Sequence, residues 1–270
     1  MKVQHARFGH LRVMFRRTRM LCHAAVVAAA ALVAFGLPTP SVAADGAVAD
    51  GSAANGPTTG AMRIGIIGAG KMGGTLAGLW AEAGYDVMIS SRNPNELQSL
   101  AASIGHGVQV GAPESAVGFG DVVVIAVPYG AEPKLGQQIA PRLGGRVVID
   151  LGNPYPERDG PMAVQARREG TGVASAKFFP GVRLVRAFNA ISYVDLRKNA
   201  HRAGDLEAIP IASNDRNAIA VAARLVRAAG FAPVVVGPLS TAKRFDVGTP
   251  VYVKDLTASQ LRAKLGLPAR

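Results

Sequence analysis

Cysteine is almost absent from this chain. The single residue, Cys22, falls within the first 44 positions. Beyond it the sequence can form no intramolecular disulfide, no thiolate nucleophile and no cysteine-based zinc site. Histidine is nearly as scarce. His106 and His201 are the only two after residue 44, and neither has a histidine or carboxylate at ligand spacing. Both read as loop or surface residues, and no metal is expected. Aromatic residues make up 6% of the chain and do not interleave with a basic stripe, so nucleic acid is not an expected partner. The longest apolar run, residues 24–37, is too short and too alanine-rich for a stable membrane span.

The 270 residues are 49% hydrophobic, enough for a well-buried core. The net charge of +12 is unevenly placed. Lys2, Arg7, Arg12, Arg16, Arg17 and Arg19 stand in a stretch, 1–44, that holds no acid. They precede the apolar run, which Pro38 breaks, and Ser41-Val42-Ala43 follows as a small-x-small cleavage pattern. This is the order of a secretory signal peptide, and Arg16-Arg17 resembles the twin-arginine kind. The expected location is therefore periplasmic or exported. Met62 directly precedes the first strand, and a start there would leave a cytoplasmic protein. Residues 45–61 are rich in Gly, Ala, Ser and Thr and read as a flexible linker.

From Arg63 the pattern changes. Arg63–Ile67 is a β-branched run suited to a buried parallel strand, and it leads into Gly68-Ala69-Gly70-Lys71-Met72-Gly73, a G-x-G-x-x-G. Thr75–Ala83 reads as the following helix, closed by Gly84, and Tyr85–Ser90 as a second strand. Strand, glycine loop, helix and strand at these distances predict a dinucleotide site. Gly68 permits the tight turn, Gly70 the approach of the pyrophosphate and Gly73 close packing of helix on strand. The free amides of the helix N-terminus then meet the phosphates. The end of the second strand selects the cofactor. An acid there would bind the ribose hydroxyl of NAD, but the chain reads Ser90-Ser91-Arg92-Asn93-Pro94. Ser91 and Arg92 can hydrogen-bond and neutralise a 2′-phosphate, so NADP(H) is expected.

Further strands are predicted at Asp121–Pro128, Gly145–Leu151, Leu184–Ser192, Ile209–Ser213 and Pro233–Pro238. Helical patterns begin at Met162 and span Asn217–Ala229, the latter capped near Asn214 or Asp215 and ended by Gly230. This alternation predicts an α/β fold, a doubly wound, mostly parallel Rossmann sheet. The domain is expected over 62–240, with a short C-terminal extension at 241–270.

Several of these segments carry a family resemblance. Ile64–Gly73, Ser91–Pro94, Ala126-Val127-Pro128, Asp150–Pro154, Val185–Asn189 and Gly248-Thr249-Pro250-Val251-Tyr252 are similar to the NADP-dependent reductases of the deazaflavin coenzyme F-420. The same domain occurs in metalloreductases and is related to the N-terminal domain of pyrroline-5-carboxylate reductases. The resemblance covers about Met62 to Tyr252. It implies that Gly70–Gly73, including Lys71 and Met72, hold the pyrophosphate, and that Ser91 and Arg92 hold the 2′-phosphate. It places Ala126, Val127 and Pro128 beside the nicotinamide, and Asn153 and Asn189 near the reacting face. The export leader departs from the family pattern.

Hydride transfer between a nicotinamide and a flavin-like ring requires alignment of two rings, and the cofactors carry the chemistry. No catalytic side chain is then required, and Asn153, Tyr155, Asn189 and Ser192 are the substrate-side candidates. A hydroxy-acid dehydrogenase would instead need a positioned Lys or His. Lys177, Lys198 and Lys243 read as surface residues. The expected enzyme is an NADPH-dependent oxidoreductase passing hydride to a small-molecule acceptor, whether deazaflavin, flavin or metal chelate. The alternatives are an imine or carbonyl reductase of a small metabolite and a non-catalytic NADP(H)-binding redox sensor. Helices beyond the cofactor domain leave a homodimer contact open.

Overall fold

A computed structural model describes residues 62–269. The leader, with its twin-arginine pattern and Cys22, and the whole linker, 45–61, lie outside the described residues. The chain runs β1 (Arg63–Ile67), α1 (Lys71–Glu82), β2 (Asp86–Ser90), α2 (Gln98–Ile104), β3 (Gln109–Gly111), α3 (Pro113–Phe119) and β4 (Val122–Ile125). It continues through α4 (Glu132–Leu143), β5 (Val147–Asp150), α5 (Pro156–Asp159), α6 (Pro161–Glu169), α7 (Thr171–Ala176) and β6 (Arg183–Arg186). It ends with α8 (Tyr193–Lys198), β7 (Ala208–Ser213), α9 (Arg216–Ala228), β8 (Ala232–Gly237) and α10 (Ala258–Lys264).

The eight strands form one sheet in the order β3-β2-β1-β4-β5-β6-β7-β8. The first six are parallel and have the order of a dinucleotide-binding sheet, reversing between β1 and β4. β7 joins β6 antiparallel through Val185–Ser213 and Arg186–Ala212, and β8 returns parallel to β7. The α/β, mostly parallel Rossmann sheet expected from the alternating pattern is therefore present.

The central strands are apolar on both faces because helices cover both. Ile64, Ile66, Val122 and Val124 face one layer with Leu76 and Trp80 of α1 and Leu225 of α9. Ile67, Val123, Ile125 and Val148 face the other with Ile139 of α4. Trp80 is fully buried, and its indole N–H donates to the Leu225 carbonyl at 2.9 Å, tying α1 to α9. At the start of α9 the Asp215 carboxylate accepts from Ala218 N at 2.7 Å, while Asn214 accepts from Leu239 N at 2.9 Å. Of the two residues offered as the cap, Asp215 takes the role.

Three elements differ from the sequence reading. α1 begins at Lys71 rather than Thr75, because Gly73 and Gly74 sit in its first turn, where their low propensity costs little. The strand expected to reach Ser192 stops at Arg186, since Phe188 turns the backbone to φ 60. The helical stretch from Met162 is split into α6 and α7 by Gly170, at φ 93. The segment 241–270 packs its Phe245, Val251, Leu261 and Leu265 against Ala208, Ala212, Val234 and Val236 of β7 and β8.

Candidate cofactor and substrate cleft

The glycine loop sits at the carboxyl end of β1. Gly68 takes φ 98 and its amide donates to the Ser90 carbonyl at 3.0 Å, linking the loop to β2. Gly73 has no room for a side chain: a Cβ there would lie 2.0 Å from the Gly68 carbonyl oxygen. Gly70 differs. It caps α1 in an extended conformation at φ −72, which any residue adopts, and a Cβ there would meet nothing within 4 Å. Neither backbone nor packing explains a glycine at 70; open space above it does. No side chain caps α1, and its first turn holds no acid. Its leading amides therefore face that space unpaired, an arrangement that attracts an anion. The loop fits a pyrophosphate.

At the end of β2, the Ser91 hydroxyl oxygen accepts from Asn93 N at 3.1 Å, which leaves its proton free to donate. Arg92 is exposed and makes no ion pair among the described residues. Both groups suit a 2′-phosphate.

A cleft of about 530 Å³ opens from Gly70 across the carboxyl ends of β1, β4, β5 and β6. Gly70, Lys71 and Met72 form one wall and Ala126, Val127 and Pro128 the floor. Leu151, Asn153, Tyr155 and Arg158 follow β5, Ile191–Tyr193 lead into α8, and Tyr252 and Val253 close the far side. Lys71 Nζ lies 4.4 Å from the Tyr193 ring centroid and donates to its hydroxyl at 3.2 Å, so one cation bridges the two halves.

The substrate side is a hydrogen-bonded cluster. Asn153 Nδ2 donates to the Asn189 carbonyl at 2.8 Å and to the Tyr252 hydroxyl at 3.3 Å. The Tyr252 and Tyr155 hydroxyls bond each other. Arg158 donates to the Asn153 carbonyl at 2.7 Å and stands 5.1 Å from the Tyr155 ring centroid. Asp159 accepts from Tyr155 N at 2.9 Å and from Gly130 N at 3.1 Å, which fixes the loop after β5. Burial, then the adjoining Tyr155 hydroxyl, keeps the Tyr252 phenol protonated well above its ordinary range.

Beneath the cleft lies a buried ionic cluster. Arg186 donates to Asp150 Oδ2 at 2.7 Å and lies 3.6 Å from Asp246 Oδ1. Asp150 Oδ1 accepts from Gly152 N at 2.7 Å, and Asp246 Oδ2 from Thr171 N at 2.9 Å. Glu132 is fully buried beside them and accepts from the Ser175 hydroxyl at 3.2 Å. Burial, then the Asp150 charge, pushes its carboxyl well above the ordinary carboxylate range. A Cβ at position 152 would collide with Glu132 Oε1 at 1.7 Å. This is the physical reason for the glycine before Asn153.

Most of the candidates read from the sequence meet in this cleft. Gly70, Lys71, Met72, Ala126, Val127, Pro128, Asn153, Tyr155 and Ser192 all line it. Gly68 and Gly73 shape the loop from below, and Ser91 and Arg92 stand outside the cleft at the β2 end. Two candidates are placed differently. The Asn189 side chain is 2% exposed and does not reach the cleft; its carbonyl instead orients Asn153. The Ser192 hydroxyl is committed to Asp195, accepting from its amide at 3.0 Å and donating to its carboxylate at 2.7 Å. Lys177 pairs with Glu169 at 2.6 Å, and neither it nor Lys198 nor Lys243 lines the cleft. Arg158, Tyr193 and Tyr252 were not among the candidates. Tyr252 lies 99 residues from Asn153, beyond the reach of local spacing.

The family model described as NADP oxidoreductase, coenzyme F420-dependent, matches residues 63–154. The F420-dependent NADP reductase of Methanothermobacter thermautotrophicus is 29% identical, over 71% of this chain and 88% of that protein. Metalloreductase STEAP3 of Rattus norvegicus is also 29% identical, over 69% of this chain, but the match spans only 36% of that relative. The crystal structure of a hypothetical protein from Sinorhizobium meliloti is 26% identical, with a TM-score of 0.61, covering 73% of this chain and 95% of that one. The resemblance read from the motifs is borne out: residues 63–154 match that family model, and the similarity to the Methanothermobacter reductase extends over most of that protein. No described helix is long and apolar enough to cross a membrane.

Proposed function

We propose that this protein is an NADPH-dependent reductase that passes hydride to a flat, conjugated ring of the deazaflavin or flavin class. One observation carries this reading. The open space above Gly70, at an uncapped helix N-terminus, continues into a cleft walled by Tyr155, Tyr193 and Tyr252. Gly70 and the α1 amides would hold the pyrophosphate, Ser91 and Arg92 the 2′-phosphate, and Ala126–Pro128 would support the nicotinamide. The bound cofactor supplies the hydride. The chain's own residues orient the second ring: Tyr155 and Tyr252 offer apolar faces with polar edges, and Val253 and Ile191 narrow the space between them. Arg158 stands where an anionic substituent on the acceptor would lie.

The deazaflavin preference draws support from the Methanothermobacter relative, whose name states that acceptor. A chelated metal draws support from the metalloreductase relative, though this chain spans about a third of it. An imine acceptor is the second reading, favoured by the hydroxyl pair at Tyr155 and Tyr252. Anaerobic mixing of protein and NADPH with coenzyme F420, FMN, ferric citrate and a cyclic imine separates these. NADPH loss is expected with F420 or FMN. Tight NADPH binding without turnover on any acceptor would leave only a redox sensor. The basic leader supports export to the periplasm; an N-terminus at Ala44 or Asp45 in protein from fractionated cells would agree, and one at Met62 would overturn it.

A further inference from the structure

Four donor hydrogens in the cleft can be counted, two on the Asn153 amide and one on each of two tyrosines, and one is left over. The Asn189 carbonyl can only accept, so the Asn153 atom 2.8 Å from it must be the nitrogen. That fixes the orientation of the Asn153 amide, and its second N–H points to the Tyr252 oxygen at 3.3 Å. Tyr252 and Tyr155 carry one hydroxyl proton each and share a single O···O contact. One of the two protons occupies that contact. The other has no acceptor among the described residues, and both side chains line the cleft. The pair therefore presents one O–H to whatever occupies the substrate side.

We propose that the Tyr155–Tyr252 hydroxyl pair delivers the proton that accompanies hydride transfer, which restricts good acceptors to rings whose reduction protonates a conjugated nitrogen. This inference rests on the reading of the cleft as a nicotinamide-to-acceptor site. In the step, the nicotinamide C–H bond breaks and its hydrogen and electron pair form a C–H bond on the acceptor. The acceptor's electrons move to a conjugated nitrogen, which forms an N–H bond as the tyrosine O–H bond breaks. Water then reprotonates the tyrosinate. The sum is NADPH plus acceptor plus one proton, giving NADP+ and the two-hydrogen reduced acceptor. The Asn153 N–H, which donates to the Tyr252 oxygen, stabilises that oxygen while it bears charge. Burial, then the Tyr155 hydroxyl, raises the Tyr252 phenol above its ordinary range, so the proton is in place before the step.

The test uses the full protein with NADPH and coenzyme F420 as the acceptor probe. The double variant Tyr155→Phe/Tyr252→Phe should slow single-turnover hydride transfer by about 100-fold, and each single variant by less, because the remaining hydroxyl still presents one O–H. The wild-type rate should be flat between about pH 6 and 9, whereas the double variant should lose about ten-fold per pH unit as the solution supplies the proton. Independently of turnover, F420 fluorescence titration should show binding weakened about ten-fold by the lost hydrogen bond, with the NADPH dissociation constant unchanged. If the double variant fails to fold, the solvent isotope effect on wild-type single-turnover hydride transfer reads the same proton: a value of about 2 or more is expected, and a value near 1 would overturn the assignment. A double variant with the wild-type rate and a flat pH profile would overturn the proton assignment and leave the reductase reading standing. A wild-type protein that binds no NADPH would overturn both.

Discussion

Gly70 and Gly73 look alike in the sequence motif, yet the structure gives them opposite burdens. Gly73→Ala would drive a methyl into the Gly68 carbonyl and should destabilise the fold by about 1–3 kcal/mol, read by urea denaturation. Gly70→Ala should leave the melting temperature unchanged and weaken NADPH binding by about ten-fold or more, because its methyl enters only the ligand's space. Equal stability losses in the two variants would contradict this division. Val253 carries a different strain. It is β-branched, takes φ 47 and remains 41% exposed, so packing does not offset its conformation. Val253→Gly should stabilise the protein by about 1 kcal/mol while raising the acceptor KM, a trade between stability and function. The glycine loop was legible in the sequence because its chemistry is local. Tyr252 and Tyr193 were not, since their partners in the cleft lie 99 and 122 residues away; Arg158 stands beside the candidate Tyr155 and was passed over. Asn189 was legible as important but not in its role: the strained φ of Phe188 turns the carbonyl, not the amide, toward Asn153.

At the scale of elements, the ends of β5 and β6 are joined by charge. Arg186 is the only cation bonded to Asp150 and Asp246 among the described residues, and it is fully buried. Arg186→Met would strand two carboxylates and should cost about 3–5 kcal/mol, enough to lower yield sharply. Glu132 at the start of α4 makes the cluster pH-sensitive. Its folded carboxyl titrates above the ordinary carboxylate range. Below that range both folded and unfolded states hold the proton. As pH rises, the unfolded state ionises first, so this group's contribution declines until pH reaches the folded value. Urea denaturation between about pH 5 and 8 should show stability falling less steeply in Glu132→Gln than in wild type. A parallel pair of curves would mean that Glu132 is ionised when folded. The strands β1, β4 and β5 were readable because burial on both faces leaves apolar, largely β-branched runs, and β2 because it follows the glycine loop and helix at the expected distance. β3, three residues long, and α4, interrupted by Pro141, carry no such signal. Neither was anticipated.

Over the whole molecule, the sequence pattern conveyed alternation but not direction. Nothing in Ala208–Ser213 marks β7 as antiparallel; the two-residue pairing with β6 does so only in three dimensions. The reading of 241–270 as an extension likewise concealed its contribution to the core. Leu261 of α10 and Leu265 at its C-cap are buried with β7 and β8, and the Thr257–Gln260 capping box starts the helix. Because Tyr252 and Val253 precede that helix, α10 anchors the far wall of the cleft to the sheet. The account depends most on the cofactor that this arrangement is built to hold. Titration of the purified chain with NADPH and NADH, followed by quenching of the buried Trp80, tests it most directly. NADPH should bind about 10–100-fold more tightly than NADH, the value of charge-assisted bonds from Ser91 and Arg92, and Arg92→Ala should erase most of the difference. Equal affinity, tighter NADH, or binding of neither would contradict it.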